Sequence, residues 1–148
     1  MPDVFKSHTG GVLIVDDNPI DIDIQRRVMA RTNRVGHIDT CTDSVAALAR
    51  YKNYASQGED AFGGPPPRLL LLDLNMPRIN GLDFALALDQ LDLDFEHHVV
   101  LLTSSKTIKI PSNPVSEVKQ PDYPDCISAH LIKPMMRPMA ERLVHQYF

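Results

Sequence analysis

Apolar residues along this chain come in short solid blocks, separated by stretches in which they recur every three or four positions. Val12-Leu13-Ile14-Val15 is too short for a helix and uniformly apolar, the pattern of a strand buried on both faces. Asn18 followed by Pro19 is a helix-start signal. Ile20, Ile24 and Val28 follow at helical spacing, which predicts a first helix running to about Arg31. The unit repeats. His37 to Cys41 alternates like a strand, and Asp43 or Ser44 can cap a second helix through Val45, Leu48, Ala49 and Lys52. Gly58 to Arg68 contains Gly63-Gly64-Pro65-Pro66-Pro67, which suits neither a helix nor a central strand and reads as a long surface loop.

Leu69-Leu70-Leu71-Leu72, ahead of Asp73, is the strongest buried-strand signal in the chain. A turn with Pro and Gly follows, then a helix carrying Leu82, Ala85, Leu86 and Leu88. His98 to Leu102 predicts a fourth strand and Ala129 to Ile132 a fifth. Arg137 or Pro138 opens a short last helix ending near Tyr147. Strands alternating with helices imply parallel βαβ units with right-handed crossovers, hence an α/β fold with an open parallel sheet and helices on both faces.

A chain of 148 residues, 43% of them apolar, builds one core, and we expect a tail over residues 1–10 and a single domain over 11–148. The net charge of −4 and the scattered Lys and Arg residues argue against a nucleic-acid partner. No apolar run has the length of a signal peptide core or a membrane span, so the expectation is a cytoplasmic protein with no membrane partner. Cys41 and Cys126 lack the spacing of a zinc site or a disulfide framework and read as ordinary thiols.

Open parallel sheets place their sites at the carboxyl ends of the strands. Asp16 and Asp17 follow strand one, Asp73 strand three, Thr103 strand four and Lys133 strand five. Three carboxylates brought together repel: at an effective dielectric of about 20 and a separation of about 4 Å, each pair costs roughly 4 kcal/mol. A divalent cation relieves that repulsion, and carboxylate oxygens with a carbonyl and water suit Mg²⁺. Asp73 can then be both metal ligand and nucleophile toward phosphorus, forming an aspartyl phosphate. Lys133 supplies a point charge for one phosphoryl oxygen and the Thr103 hydroxyl a hydrogen bond to another.

Taken singly, each of these residues has a plainer reading. Asp16 and Asp17 are ordinary acids near a helix N-terminus, Thr103 ends a strand, Lys133-Pro134 is a surface turn and His130 a half-buried histidine. Asp73 is harder to dismiss, because it directly follows a wholly apolar strand. The strand-end order acid pair, acid, hydroxyl, lysine tips the balance toward a site. Met76, Met135 and Met136 read as packing or surface residues without a cofactor role.

The motifs Val12-Leu13-Ile14-Val15-Asp16-Asp17-Asn18, Leu71-Leu72-Asp73-Leu74-Asn75-Met76-Pro77-Arg78-Ile79-Asn80-Gly81, Leu101-Leu102-Thr103-Ser104 and Ile132-Lys133-Pro134 resemble the receiver domains of two-component response regulators, in particular the single-domain, chemotaxis-type members. The resemblance spans residues 11–148. It implies five parallel strands in the order 2-1-3-4-5 and a phosphorelay switch that accepts a phosphoryl group on Asp73. Asp16 and Asp17 correspond to the acidic metal pair, Thr103 to the switch hydroxyl and Lys133 to the family lysine. The Asn75 backbone carbonyl corresponds to a Mg²⁺ ligand, and the Asn75 and Ser105 side chains to positions that tune phosphate hydrolysis. The implied partners are a sensor histidine kinase or histidine phosphotransfer protein and a downstream protein target, with room for a homodimer.

Three features depart from the family pattern. The Gly58 to Arg68 loop is longer than usual, as in regulators that partner bacterial phytochromes. His130 stands where the family usually carries a Tyr or Phe that rotates on activation, the aromatic switch. Between Ser105 and Ser128 stand Pro111, Pro114, Pro121 and Pro124, whose longest proline-free piece, Val115 to Gln120, is under two helical turns. The helix that the family places there is therefore expected to be missing or cut to a single turn, leaving a loop.

Two rival functions remain open at this point. Phosphatases of the haloacid-dehalogenase type also use a strand-end Asp, Mg²⁺, a hydroxyl and a Lys. They need a second acid two residues after the nucleophile, where this chain has Asn75. The expectation is accordingly that the protein is not an enzyme. The other rival is an adaptor that keeps the receiver shape and works regardless of phosphate.

Overall fold

The computed structural model describes residues 11–57, 59–62, 66–103, 115–116 and 124–148. The N-terminal tail expected over residues 1–10 lies outside them, as does Ser105. Strands β1 (Gly11–Val15) and β3 (Pro67–Asp73) pair in parallel at the centre of the sheet. Although both read as solid apolar runs, their side chains sort by twos onto opposite faces, as pleating demands. Val12, Ile14, Leu69 and Leu71 join one core cluster, and Leu13, Val15, Leu70 and Leu72 join the other.

Strand β2 (Ile38–Cys41) flanks β1, and β4 (His98–Thr103) flanks β3. Strand β6 (Ile127–Ile132) pairs in parallel with β4. The five parallel strands therefore run 2-1-3-4-5 in their own order, as the resemblance implies. A two-residue strand, β5 (Val115–Ser116), is added antiparallel to β6 at the outer edge, giving the full order β2-β1-β3-β4-β6-β5. Most of the segment in which a helix was expected to be lost lies outside the described residues. Among those described, Val115 and Ser116 are strand, and the rest form the turn into β6 and its first residues.

Helices α1 (Pro19–Ala30) and α4 (Arg137–Tyr147) cover one face of the sheet. Helices α2 (Ser44–Gln57) and α3 (Gly81–Asp89) cover the other. The caps are those the sequence offers: Asn18 accepts from the Ile20 N–H, Asp43 from Val45 and Ala46, and Asn80 from Asp83. None of the described helices is long and apolar enough to cross a membrane.

Two local expectations need correction. The Ile20-Ile24-Val28 spacing does mark the helix α1, but it does not mark the helix's inward face, since Ile20 and Ile24 are exposed and Val28 is only partly buried. The buried stripe is Ile22, Gln25 and Met29, and the polar Gln25 in its middle broke the apolar signal. The second correction concerns Gly58 to Arg68. Glu59–Phe62 forms a 3-10 turn and Pro67 and Arg68 already belong to β3. Phe62 is buried edge-on against Tyr51, with ring centroids 5.1 Å apart, and its carbonyl accepts a hydrogen bond from Arg50. An aromatic group ahead of a glycine-proline run found a place in the core that composition did not announce.

Tyr51 sits between Phe62 and Phe84 with 1% exposure, and its hydroxyl meets no hydrogen-bonding partner among the described residues. A buried hydroxyl without a partner opposes folding. Tyr51→Phe is therefore expected to raise stability by about 1 kcal/mol, read as a higher urea midpoint at unchanged slope. A lower midpoint would contradict the isolation of that hydroxyl.

Candidate functional site

Parallel register brings the strand ends to one edge. Val15 lies beside Leu72, Asp73 beside Leu102, and Thr103 beside Ile132. Asp16 follows β1 directly, Asp73 and Thr103 close β3 and β4, and Lys133 follows β6. Carboxylate oxygens of Asp16, Asp17 and Asp73 all lie within 4.8 Å of one another. Lys133 Nζ stands 2.8 Å from Asp16 Oδ2 and 3.1 Å from Asp73 Oδ1. Asp16 and Asp73 are buried, while Asp17 faces solvent. Thr103 is fully buried, and its carbonyl accepts the Lys133 backbone N–H at 2.9 Å. Asn75 is exposed in the loop after β3. His130 is buried in β6, and burial lowers its imidazole pKa.

Burial and the charges of Asp16 and Asp17 together push the Asp73 pKa up to about 6, against the opposing pull of Lys133. Burial also works against the Lys133 ammonium. Its hydrogen bonds to Asp16 and Asp21, with the charges of Asp16 and Asp73, outweigh that and raise its pKa. The pocket thus carries more negative charge than one lysine can settle. Three converging carboxylates, two of them desolvated, form a donor set that fits a small, hard divalent cation.

Two residues at this edge escaped the sequence reading. Asp21, in the first turn of α1, reaches Lys133 Nζ with Oδ2 at 3.0 Å. Gln25, one turn further on, donates from Nε2 to Asp16 Oδ2 at 3.2 Å. For Asp21 the signal was indistinguishable from an acid complementing a helix N-terminus. Gln25 did leave a trace, as a polar residue framed by Ile22 and Met29 on the inward stripe.

The loop after Asp73 is shaped by two close approaches. The Gly81 N–H donates to the Leu74 carbonyl at 2.8 Å, and a Cβ on Gly81 would lie 2.6 Å from the Asp73 carbonyl oxygen. The start of α3 can press onto the strand end only because residue 81 has no side chain. Between them, Ile79 N–H donates to Pro77 O at 2.8 Å across Arg78, whose φ is +69°. This is a three-residue turn of the strained left-handed kind. It is held from α2 by the Ser44 hydroxyl, 3.2 Å from Pro77 O, and by the Arg78 to Asp43 ion pair at 2.7 Å.

An open parallel sheet with acids, a threonine and a lysine at its carboxyl edge defines a doubly wound α/β protein with a strand-end site. The family model of the response regulator receiver domain matches residues 12–117, and the chain belongs to that family, the receiver domains of two-component systems. Its fold is similar to that of a two-component response regulator from Legionella pneumophila, with 24% identity, TM-score 0.65 and coverage of 94% of this chain and 98% of that one. It is similar also to a chain in the CheX-CheY-BeF3-Mg²⁺ complex from Borrelia burgdorferi, with 20% identity, TM-score 0.62 and coverage of 94% and 89%. A bacteriophytochrome response regulator is similar at 21% identity and TM-score 0.64, over 95% of this chain and 80% of that one. No curated protein sequence matches the chain.

Proposed function

We propose that this receiver is a phosphorelay switch whose acceptor is Asp73, loaded by a sensor histidine kinase or a histidine phosphotransfer protein and read by a downstream protein. The observation that carries this reading is the meeting of the Asp16, Asp17 and Asp73 carboxylates within 4.8 Å, with Lys133 Nζ 3.1 Å from Asp73. Mg²⁺ would be held by Asp16, Asp17, Asp73 and the backbone carbonyl of Asn75. When bound it neutralises charge that builds on the transferred oxygens.

The chain's own residues supply the rest. Asp73 is the nucleophile, presented at the end of a strand buried on both faces and backed by the Gly81 contact. Lys133 offers its ammonium to the transferred group, and its neighbours Asp16 and Asp21 keep it charged. Thr103, buried at the end of the adjacent strand, gives its hydroxyl to a phosphoryl oxygen and so couples Asp73 to the chain that follows β4. The side chain at position 75, an amide, offers no second acid for phosphatase chemistry, which supports a signalling module over an enzyme.

Incubation with acetyl phosphate and Mg²⁺ is expected to add the mass of one phosphoryl group, and chelation of the metal to prevent it. One observation favours a second reading, an adaptor indifferent to phosphate: His130, at the family's aromatic switch position, is 3% exposed. Intact mass spectrometry without an adduct from any small donor would select that reading.

A further inference from the structure

Lys133 Nζ has three N–H donors and three carboxylates at ion-pair distance: Asp16 at 2.8 Å, Asp21 at 3.0 Å and Asp73 at 3.1 Å. Asp16 and Asp73 belong to the acidic cluster at the strand ends; Asp21 does not. It reaches the lysine from α1, 112 positions away in sequence. An acid in the first turn of a helix is favoured by the helix dipole wherever its side chain points. Asp21 goes further, because its oxygen is spent on Lys133, the cation that also meets Asp16 and Asp73.

We propose that Asp21 is a resting-state tether for Lys133 and that its charge restrains phosphoryl uptake at Asp73. The inference rests on the phosphoacceptor reading above. With acetyl phosphate as donor, a bond forms between an Asp73 carboxylate oxygen and phosphorus. The phosphorus–oxygen bond to the acetyl group breaks, and acetate departs with the bonding pair. No proton is gained or lost, but a dianionic phosphoryl group now stands where Asp73 carried a single charge. Lys133 is the cation that can follow that added charge. While Asp21 is ionised, the lysine divides itself between the phosphoryl oxygens and a carboxylate that takes no part in the transfer. Asp21 also adds to the repulsion that an incoming dianion meets. Both effects have the same sign, and both vanish when the Asp21 charge is removed.

The test compares the parent protein with Asp21→Asn, Asp21→Glu and Asp23→Asn at saturating Mg²⁺. Asp23 is the control, because it sits on the same helix and pairs with Arg26 and Arg27 instead of Lys133. Three quantities are measured: uptake from acetyl phosphate by intact mass, affinity for beryllofluoride, and the nitrogen NMR signal of the Lys133 side chain. Asp21→Asn is expected to take up phosphoryl groups roughly three- to tenfold faster and to bind beryllofluoride more tightly by a similar factor. Its Lys133 signal should move in the resting protein. Asp21→Glu and Asp23→Asn should stay near the parent in all three. A purely structural role at the helix N-terminus would change the melting temperature and leave beryllofluoride affinity alone. If Asp21→Asn does not fold, Asp21→Ser carries the same expectation.

Equal rates and affinities in the parent and the uncharged variant overturn the tether, and so does a slower uncharged variant. A parent protein that neither accepts a phosphoryl group nor binds beryllofluoride overturns the phosphoacceptor reading and the tether with it. That outcome is read in the unmodified chain, so the two failures are distinguishable.

Discussion

Asp73→Asn is expected to abolish the phosphoryl adduct outright and, in the absence of divalent metal at neutral pH, to make the protein more stable than its parent. The first effect follows from loss of the attacking oxygen, since an amide is a poor nucleophile toward phosphorus. The second follows from linkage. Burial, with the charges of Asp16 and Asp17, pushes the Asp73 pKa up to about 6, whereas the unfolded value is 3.8. Between those values the folded protein keeps a proton that the unfolded chain has released, so stability falls as pH rises through that window. Above it the penalty is complete, at most on the order of 3 kcal/mol.

The asparagine variant escapes that penalty, and Lys133 keeps its pairs with Asp16 and Asp21. Urea unfolding of the two proteins should coincide near about pH 4 and separate by about pH 7, with the variant above the parent. Saturating Mg²⁺ should narrow the gap by stabilising the parent through binding to the folded state. A variant equal to or less stable than the parent at neutral pH would show that the three carboxylates do not crowd one another in solution.

Gly81→Ala is expected to damage both the fold and the site. The added methyl would meet the Asp73 carbonyl oxygen at 2.6 Å and Leu74 Cα at 2.9 Å, both backbone atoms that cannot rotate aside. Either α3 or the end of β3 must shift. The Gly81 to Leu74 hydrogen bond, 2.8 Å long, strains in both cases. Overpacking of this kind costs roughly 1–3 kcal/mol. Displacement of the strand end should also slow phosphoryl uptake by roughly tenfold or more in the protein that remains folded, because transfer depends on the placement of Asp73. Leu86→Ala, on the exposed side of the same helix, should change neither quantity appreciably. Unaltered uptake in Gly81→Ala would mean that the loop carries the contact without moving Asp73.

Much of the architecture was legible because it rests on local rules. Asn18, Asp43 and Asn80 cap the helices they precede, and their side chains act within three residues of themselves. The apolar blocks at 12–15, 69–72 and 99–102 are strands because nothing but a two-faced sheet buries every residue of so short a run. What the apolar spacing did not show was which face of α1 is buried. Gln25 is buried because Asp16 lies opposite, a partner nine residues away that no periodicity could announce. The burial of Phe62 was hidden in the same way, since it depends on Tyr51 and Arg50 across a turn.

By itself the sequence determined the alternation of strands and helices, hence the parallel sheet, and the placing of Asp16, Asp17, Asp73, Thr103 and Lys133 at strand ends. Those are consequences of hydrophobic period and of the edge at which parallel strands finish. Only the tertiary structure decided which charges share a cation. Lys133 lies 60 residues from Asp73, 112 from Asp21 and 117 from Asp16 in the sequence, yet it stands within 3.1 Å of a carboxylate oxygen from each. Coulomb energy depends on separation in space and on burial, neither of which is written in the order of residues. The same reason explains Asp21: its type and position suit the helix dipole, and its engagement with Lys133 follows from the meeting of the first turn of α1 and the residue after β6 at the carboxyl edge of the sheet.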